Sequence, residues 1–142
     1  MGLRVFIVED EESIRDSLQM HLEDQGHEVL TCARPSECRV FSGHECDKNF
    51  PCGHALFVDY FMPEMTGLDF IESMEKGGCK GVTRNKIIMT GDSTAVDIDK
   101  AESLGCQVVQ KPLTLDKLDK IIARIESKID PGEKLADISK YN

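Results

Sequence analysis

The sequence predicts an α/β domain with a parallel sheet between two layers of helices. Two observations carry that expectation. Short, nearly continuous apolar runs recur through the chain: LRVFIV (3–8), HEVLTC (27–32), ALFV (55–58), KIIMT (86–90) and CQVVQ (106–110). Runs of this kind mark strands buried on both faces. Each is followed by a segment with helical spacing or helix-start signals, and strict strand–helix alternation predicts parallel pairing with helices on both sides.

In chain order, the first strand leads into EDEESIRDSLQMHLEDQG, where Ile14, Leu18 and Leu22 fall four apart on one face. Acidic residues crowd its start, and Gly26 is placed to end it. After the second strand, Pro35 opens a short helix running to Val40 or Phe41. Residues 42–54 have no periodicity and carry turn residues, so they form a loop. The third strand, 55–58, precedes a helix over 66–76 with Leu68, Ile71 and Met74 on one face. A loop at 77–85 leads to the fourth strand. STAVDIDKAESLG (93–105) is expected to be one helix ending on Gly105. The fifth strand is broken at Lys111-Pro112. A long amphipathic helix follows over 113–129, with Leu115, Leu118, Ile122, Ile125 and Ile129 spaced three or four apart, and residues 130–142 form a polar tail.

The 142 residues suffice for one domain with a single good core. The formal net charge is −9, and a chain this acidic gains nothing from counterion release on DNA or RNA. No nucleic-acid partner is therefore expected. No apolar run approaches the roughly 20 residues of a membrane span, and the N-terminus lacks the basic start of a signal peptide, so the expected setting is the cytoplasm, with no membrane partner. There the six cysteines, at 32, 38, 46, 52, 79 and 106, would stay reduced.

The chemistry collects where the apolar runs stop. In parallel α/β sheets, ligands bind beyond the carboxyl ends of the strands. Here the first strand ends on Glu9-Asp10, the third on Asp59, the fourth on Thr90-Gly91, and the fifth runs into Lys111. Three clustered carboxylates repel one another and raise their pKa values. A hard divalent cation relieves that repulsion, and Mg²⁺ commonly takes one or two carboxylates plus water and phosphate oxygens. Lys111 can neutralise charge from the other side, Thr90 can donate to a phosphoryl oxygen, and Gly91 leaves room for one. Asp59 then becomes a nucleophile that forms an aspartyl phosphate. Singly, each residue has a plainer reading as a helix cap, a turn or an ordinary strand end. The series ED, D, T, K on successive strand ends is what singles them out.

The motifs VED (8–10), VDYFMPEMTGLDF (58–70), MTG (89–91) and QKPL (110–113) resemble the response regulator receiver domain of two-component signalling, over about residues 3–128. The resemblance implies a flavodoxin-like (βα)5 doubly wound sandwich with strand order 2-1-3-4-5. It also implies a receiver domain at 1–129 with an enlarged loop at 42–54. It casts Asp59 as phosphoacceptor, and Thr90 and Lys111 as the phosphate-sensing pair. Glu9, Asp10, Asp59 and the Phe61 backbone carbonyl would hold Mg²⁺, and the Lys111-Pro112 peptide would be cis. The implied partners are a sensor histidine kinase or phosphotransfer protein, a downstream protein target, and a second copy docked through the helix at 93–105, the strand at 106–110 and the helix at 113–129. With only a short tail after the last helix, the expectation is a stand-alone regulator, not an enzyme beyond its own phosphorylation and dephosphorylation.

The sequence departs from the family pattern in three places. Val108 stands where an aromatic switch residue usually lies, three positions before the lysine. Phe61 and Asp92 flank the expected path of the hydrolytic water. The loop at 42–54 holds Cys46 and Cys52, with Cys38 upstream and His44 and His54 nearby. A zinc site is one reading, but no C-x-x-C is present, and buried or idle thiols are the default. Cys32 and Cys106 read as core, Cys79 as a loop thiol, and His21 and His27 as surface residues. Two enzyme readings fare worse. An aspartate-nucleophile phosphatase would want a second Asp at position 61, and a flavin site would not begin with Glu9-Asp10-Glu11-Glu12. The remaining alternative is a degenerate receiver that binds partners without phosphorylation.

Overall fold

The computed structural model describes residues 2–37, 52–76, 85–130 and 135. Five parallel strands form one sheet: β1 (Arg4–Val8), β2 (Glu28–Cys32), β3 (Ala55–Asp59), β4 (Lys86–Thr90) and β5 (Cys106–Gln110). Their order is β2-β1-β3-β4-β5, as expected. The helices are α1 (Glu12–Asp24), α2 (Gly67–Lys76), α3 (Ile98–Ser103) and α4 (Leu115–Lys128), with 3₁₀ turns at Pro35–Glu37 and Ser93–Ala95. No helix among the described residues is long and apolar enough to cross a membrane.

Successive strand residues point to opposite faces, which is why the apolar runs are continuous. Phe6, Val8, Leu56, Val58 and Ile88 meet Leu68, Ile71 and Met74 of α2 and Ala101 of α3 on one side. Val5, Ile7, Phe57, Ile87 and Met89 meet Leu18 and Leu22 of α1 and Leu118, Ile122 and Ile125 of α4 on the other. Full burial of each Leu- or Ile-sized side chain contributes about 1.5–3 kcal/mol. The one charged residue within β4, Lys86, is buried but bonded to Glu75 of α2 at 2.7 Å.

The helix ends follow their sequence cues. Gly26 and Gly105 adopt positive φ, of 92° and 74°, a conformation glycine reaches without a Cβ penalty. The Thr114 hydroxyl caps α4 by accepting the Lys117 N–H, and the Thr66 hydroxyl accepts the Asp69 N–H at the start of α2.

Several expectations are corrected. The segment 93–105 is a 3₁₀ turn followed by α3, because Asp92 caps the turn through the Thr94 N–H and Asp97 caps α3 afresh through the Lys100 N–H, with Val96 extended between them. Leu115, read as part of the apolar stripe, is 43% exposed at the first turn of α4. His27 is buried, with only 7% exposed, because its Nδ1 accepts the Leu3 N–H at 2.9 Å. His21 is half-buried against Asp119. Cys106 is likewise only half-buried, whereas Cys32 and Cys52 lie in the core. Of the short helix expected after Pro35, the described part is the 3₁₀ turn. Cys38, His44, Cys46, Cys79 and all of the tail beyond Asp130 except Leu135 lie outside the described residues.

Candidate functional site

Strand register brings the expected residues to one edge. Val8 pairs with Cys32 and Val58, Asp59 with Met89, and Thr90 with Gln110. The ladder runs on past the strand ends: the Glu9 N–H donates to the Cys32 carbonyl, the Tyr60 N–H to Met89, and the Lys111 N–H to Thr90. Glu9, Asp59, Thr90 and Lys111 are therefore held by backbone bonds and not by loop conformation.

At the centre, Lys111 Nζ lies 3.0 Å from Glu9 Oε2 and 3.1 Å from Asp59 Oδ1. Glu9 is fully buried, and its Oε1 accepts the Glu11 N–H at 3.1 Å. Asp59 is 6% exposed, whereas Asp10 is open to solvent. One carboxylate oxygen from each of Glu9, Asp10 and Asp59 falls within a span of 4.8 Å, the one such acidic cluster among the described residues. Burial, and then the charge of Glu9, pushes the Asp59 carboxyl up to about 6, against the opposing pull of Lys111. Burial works against the Lys111 charge, but the hydrogen bonds and charges of Glu9 and Asp59 outweigh it and raise its pKa.

The donor set fits a hard cation: three carboxylates, no sulfur or imidazole, with burial and then the charge of Glu9 lifting Asp59 while Lys111 pulls the other way. The loop after β3 is held close to this cluster. The Gly67 N–H donates to the Tyr60 carbonyl at 2.8 Å, and a Cβ on Gly67 would sit 2.8 Å from the Asp59 carbonyl oxygen. Only glycine permits that approach without moving the strand end. The Lys111-Pro112 peptide is cis.

Thr90 reaches the same edge, but its buried hydroxyl is turned into the following loop. It donates to the Asp92 carbonyl at 3.2 Å and accepts the Asp92 N–H at 3.1 Å. The Asp92 carboxylate is spent on the Thr94 N–H and hydroxyl. Beside them Gly91 borders open space, where an added Cβ would meet nothing within 4 Å. Phe61 carries its ring on the surface, 54% exposed, edge-on to Tyr60 with centroids 4.8 Å apart.

Three further residues serve this edge without having been singled out. Arg15 Nη1 donates to the Glu9 carbonyl at 3.0 Å. The Tyr60 hydroxyl donates to the Ala95 carbonyl at 3.4 Å. Gln110 Nε2 donates to the Gly91 carbonyl at 2.7 Å. None has a spacing signature, since each acts through its side chain on a backbone carbonyl outside its own helix or strand. Gln110 could have been noticed only as the residue beside Lys111.

Comparison with known proteins agrees with this architecture. The family profile described as "Response regulator receiver domain" matches residues 5–123. The sensory/regulatory protein RpfC of Xanthomonas campestris pv. campestris is 30% identical over 119 residues, which is 82% of this chain and 16% of RpfC. The chain thus spans a small part of that relative's length. Among solved structures, the chemotaxis protein CheY4 of Vibrio cholerae superposes with a TM-score of 0.68 at 24% identity, covering 88% of this chain and 99% of that one. The receiver domain of the Pseudomonas aeruginosa sensor histidine kinase PA1611, described with magnesium coordinated in its active site cleft, gives 0.67 at 18% identity, covering 89% and 99%.

Proposed function

This chain belongs to the response regulator receiver domain family, and from that premise we propose that it is a signalling module whose Asp59 accepts a phosphoryl group from a histidine kinase or phosphotransfer protein. An Asp59 oxygen attacks the phosphorus of phosphohistidine. The O–P bond forms as the P–N bond breaks, and the imidazole leaves with the electron pair of that bond and takes up a proton. The product is an acyl phosphate, which water later hydrolyses to restore the carboxylate. No separate substrate is turned over.

The observation that carries the reading is the contact of Lys111 Nζ with both Asp59 and Glu9, beside a three-carboxylate cluster. Glu9, Asp10, Asp59 and the Phe61 carbonyl would hold Mg²⁺. The bound ion would supply positive charge against the phosphoryl oxygens. Lys111 holds the Asp59 carboxylate in place and offsets charge from its other side. Glu9 already has a partner on each oxygen, so it also serves to fix Lys111. Thr90 would bond a phosphoryl oxygen once its hydroxyl leaves Asp92. The proposed domain spans 1–129, and a downstream protein or a second copy would read the phosphorylated state on the face of α3, β5 and α4.

Intact-mass measurement after incubation with acetyl phosphate and Mg²⁺ tests the proposal. The wild type should gain one phosphoryl group, and Asp59→Asn should gain none. A wild type that stays unmodified, or an equal gain in the variant, overturns it.

A further inference from the structure

We infer that Gln110 is a positioning residue: its side-chain amide brackets the segment after Thr90 and so sets how readily Asp59 takes up a phosphoryl group. The inference rests on the phosphoacceptor reading above.

Gln110 ends β5, directly before Lys111 and in register with Thr90. Its Nε2 donates to the Gly91 carbonyl at 2.7 Å, and its Oε1 accepts the Ser93 N–H at 3.2 Å. The two bonds grip the peptide on either side of Asp92. Asp92 is also the residue whose backbone engages the Thr90 hydroxyl, both as acceptor and as donor. A hydroxyl has one proton to give. While it goes to the Asp92 carbonyl, it cannot go to a phosphoryl oxygen on Asp59. Gln110 thus holds in place the group that keeps Thr90 occupied.

Position 108, where the family usually has an aromatic residue, cannot supply this restraint. Val108 is aliphatic and packs partly buried against the core. A further side-chain tie from outside the segment is the Tyr60 hydroxyl on the Ala95 carbonyl, at the long distance of 3.4 Å. Gln110 therefore makes the closer restraint on this segment.

A ligand shifts an equilibrium only by the difference in its affinity for the two states. Bonds made in the resting arrangement and given up in the switched one lower the apparent affinity for the group that demands the switch. Removing the Gln110 amide should then tighten capture of a phosphoryl mimic, by about three- to tenfold for one or two solvent-accessible hydrogen bonds.

The test uses Gln110→Met, which keeps the length and loses the amide. It also uses Gln110→Glu, which keeps the acceptor for Ser93 but sets an oxygen against the Gly91 carbonyl. Amide exchange of Ser93 is first followed by NMR with no ligand present, and should be about tenfold faster in Gln110→Met than in the wild type. Binding of beryllofluoride with Mg²⁺ is then titrated, and should tighten about three- to tenfold in Gln110→Met and by less in Gln110→Glu, whose added charge opposes an anion, while the melting temperatures fall by no more than a few degrees, about what the loss of one or two hydrogen bonds costs. Unchanged Ser93 exchange overturns the bracket itself. Faster exchange with unchanged or weaker beryllofluoride binding overturns its part in phosphoryl capture. Failure of the wild type to bind beryllofluoride in an Asp59-dependent way overturns the phosphoacceptor reading instead. The exchange experiment needs no ligand, so the two failures are told apart.

Discussion

Lys111 Nζ bridges Glu9 and Asp59, at 3.0 and 3.1 Å, although the two acids arrive on different strands and the lysine on a third. Neither carboxylate has much water to turn to, so the ammonium stabilises a pair of charges that repel each other. Removing it should cost more than a surface ion pair would. Lys111→Met is expected to lose about 2–4 kcal/mol in chelator, less than a wholly buried pair because the lysine keeps some exposure. Added Mg²⁺ should recover part of the loss. Urea melts with EDTA and with Mg²⁺ check both statements, and an unchanged midpoint in EDTA would show that the bridge contributes nothing.

Asp59 presents the opposite case, a charge the free protein holds at a cost. Its folded pKa, pushed up to about 6 by burial and by Glu9, lies above the ordinary carboxylate value. Protonation therefore favours the folded state. The contribution of Asp59 to stability is greatest below about pH 4 and falls as pH rises through about 6. In chelator at about pH 7.5, Asp59→Asn should be more stable than the wild type, by up to about 3 kcal/mol. Added Mg²⁺ should stabilise the wild type, and this variant much less. A variant that melts below the wild type in EDTA would contradict the account.

The strands and the acids at their ends were legible because each signal is local. A run buried on both faces has to be apolar, and a carboxylate that stops such a run is conspicuous, as at Val8-Glu9 and Val58-Asp59. The break in 93–105 was harder to see. Val96, Ala101 and Leu104 fit a helical stripe, and the interruption comes from Asp92 and Asp97, each capping its own turn. Thr90 was placed at the right edge, but the direction of its hydroxyl was not readable, because Asp92 competes for it through the backbone. Gln110 and Arg15 were missed for a related reason. A side chain that bonds a backbone carbonyl outside its own helix or strand leaves no periodic trace.

His27 shows how a polar residue can be structural where spacing suggests a surface. Its Nδ1 takes the N–H of Leu3, a buried residue just ahead of β1. Replacing it with Ala leaves that donor without its partner, an expected cost of about 1–3 kcal/mol. His27→Asn offers an acceptor again and should lose less. Thermal melts of the two variants decide the matter, and equal losses would mean that ring packing and not the hydrogen bond is what counts.

Asp119 ties α4, which follows Lys111, to α1, which follows Glu9 and Asp10. Its Oδ1 accepts from His21 Nε2 at 2.8 Å and from Gln25 Nε2 at 3.0 Å. The hydrogen bond from His21, then that from Gln25, holds the Asp119 carboxyl below the usual carboxylate range. With the folded pKa depressed, the contact stabilises the protein above the unfolded value of about 4, and that stabilisation is lost as pH falls through the folded one. His21→Ala should therefore raise the Asp119 midpoint in an NMR titration, Gln25→Ala should raise it less, and the double variant should return it to an ordinary aspartate. The stability gap between wild type and His21→Ala should close as the solution is acidified below about pH 4. An Asp119 midpoint that ignores both substitutions would mean the contact is too solvated to orient α4 against α1, and the placement of Lys111 would then rest on the sheet alone.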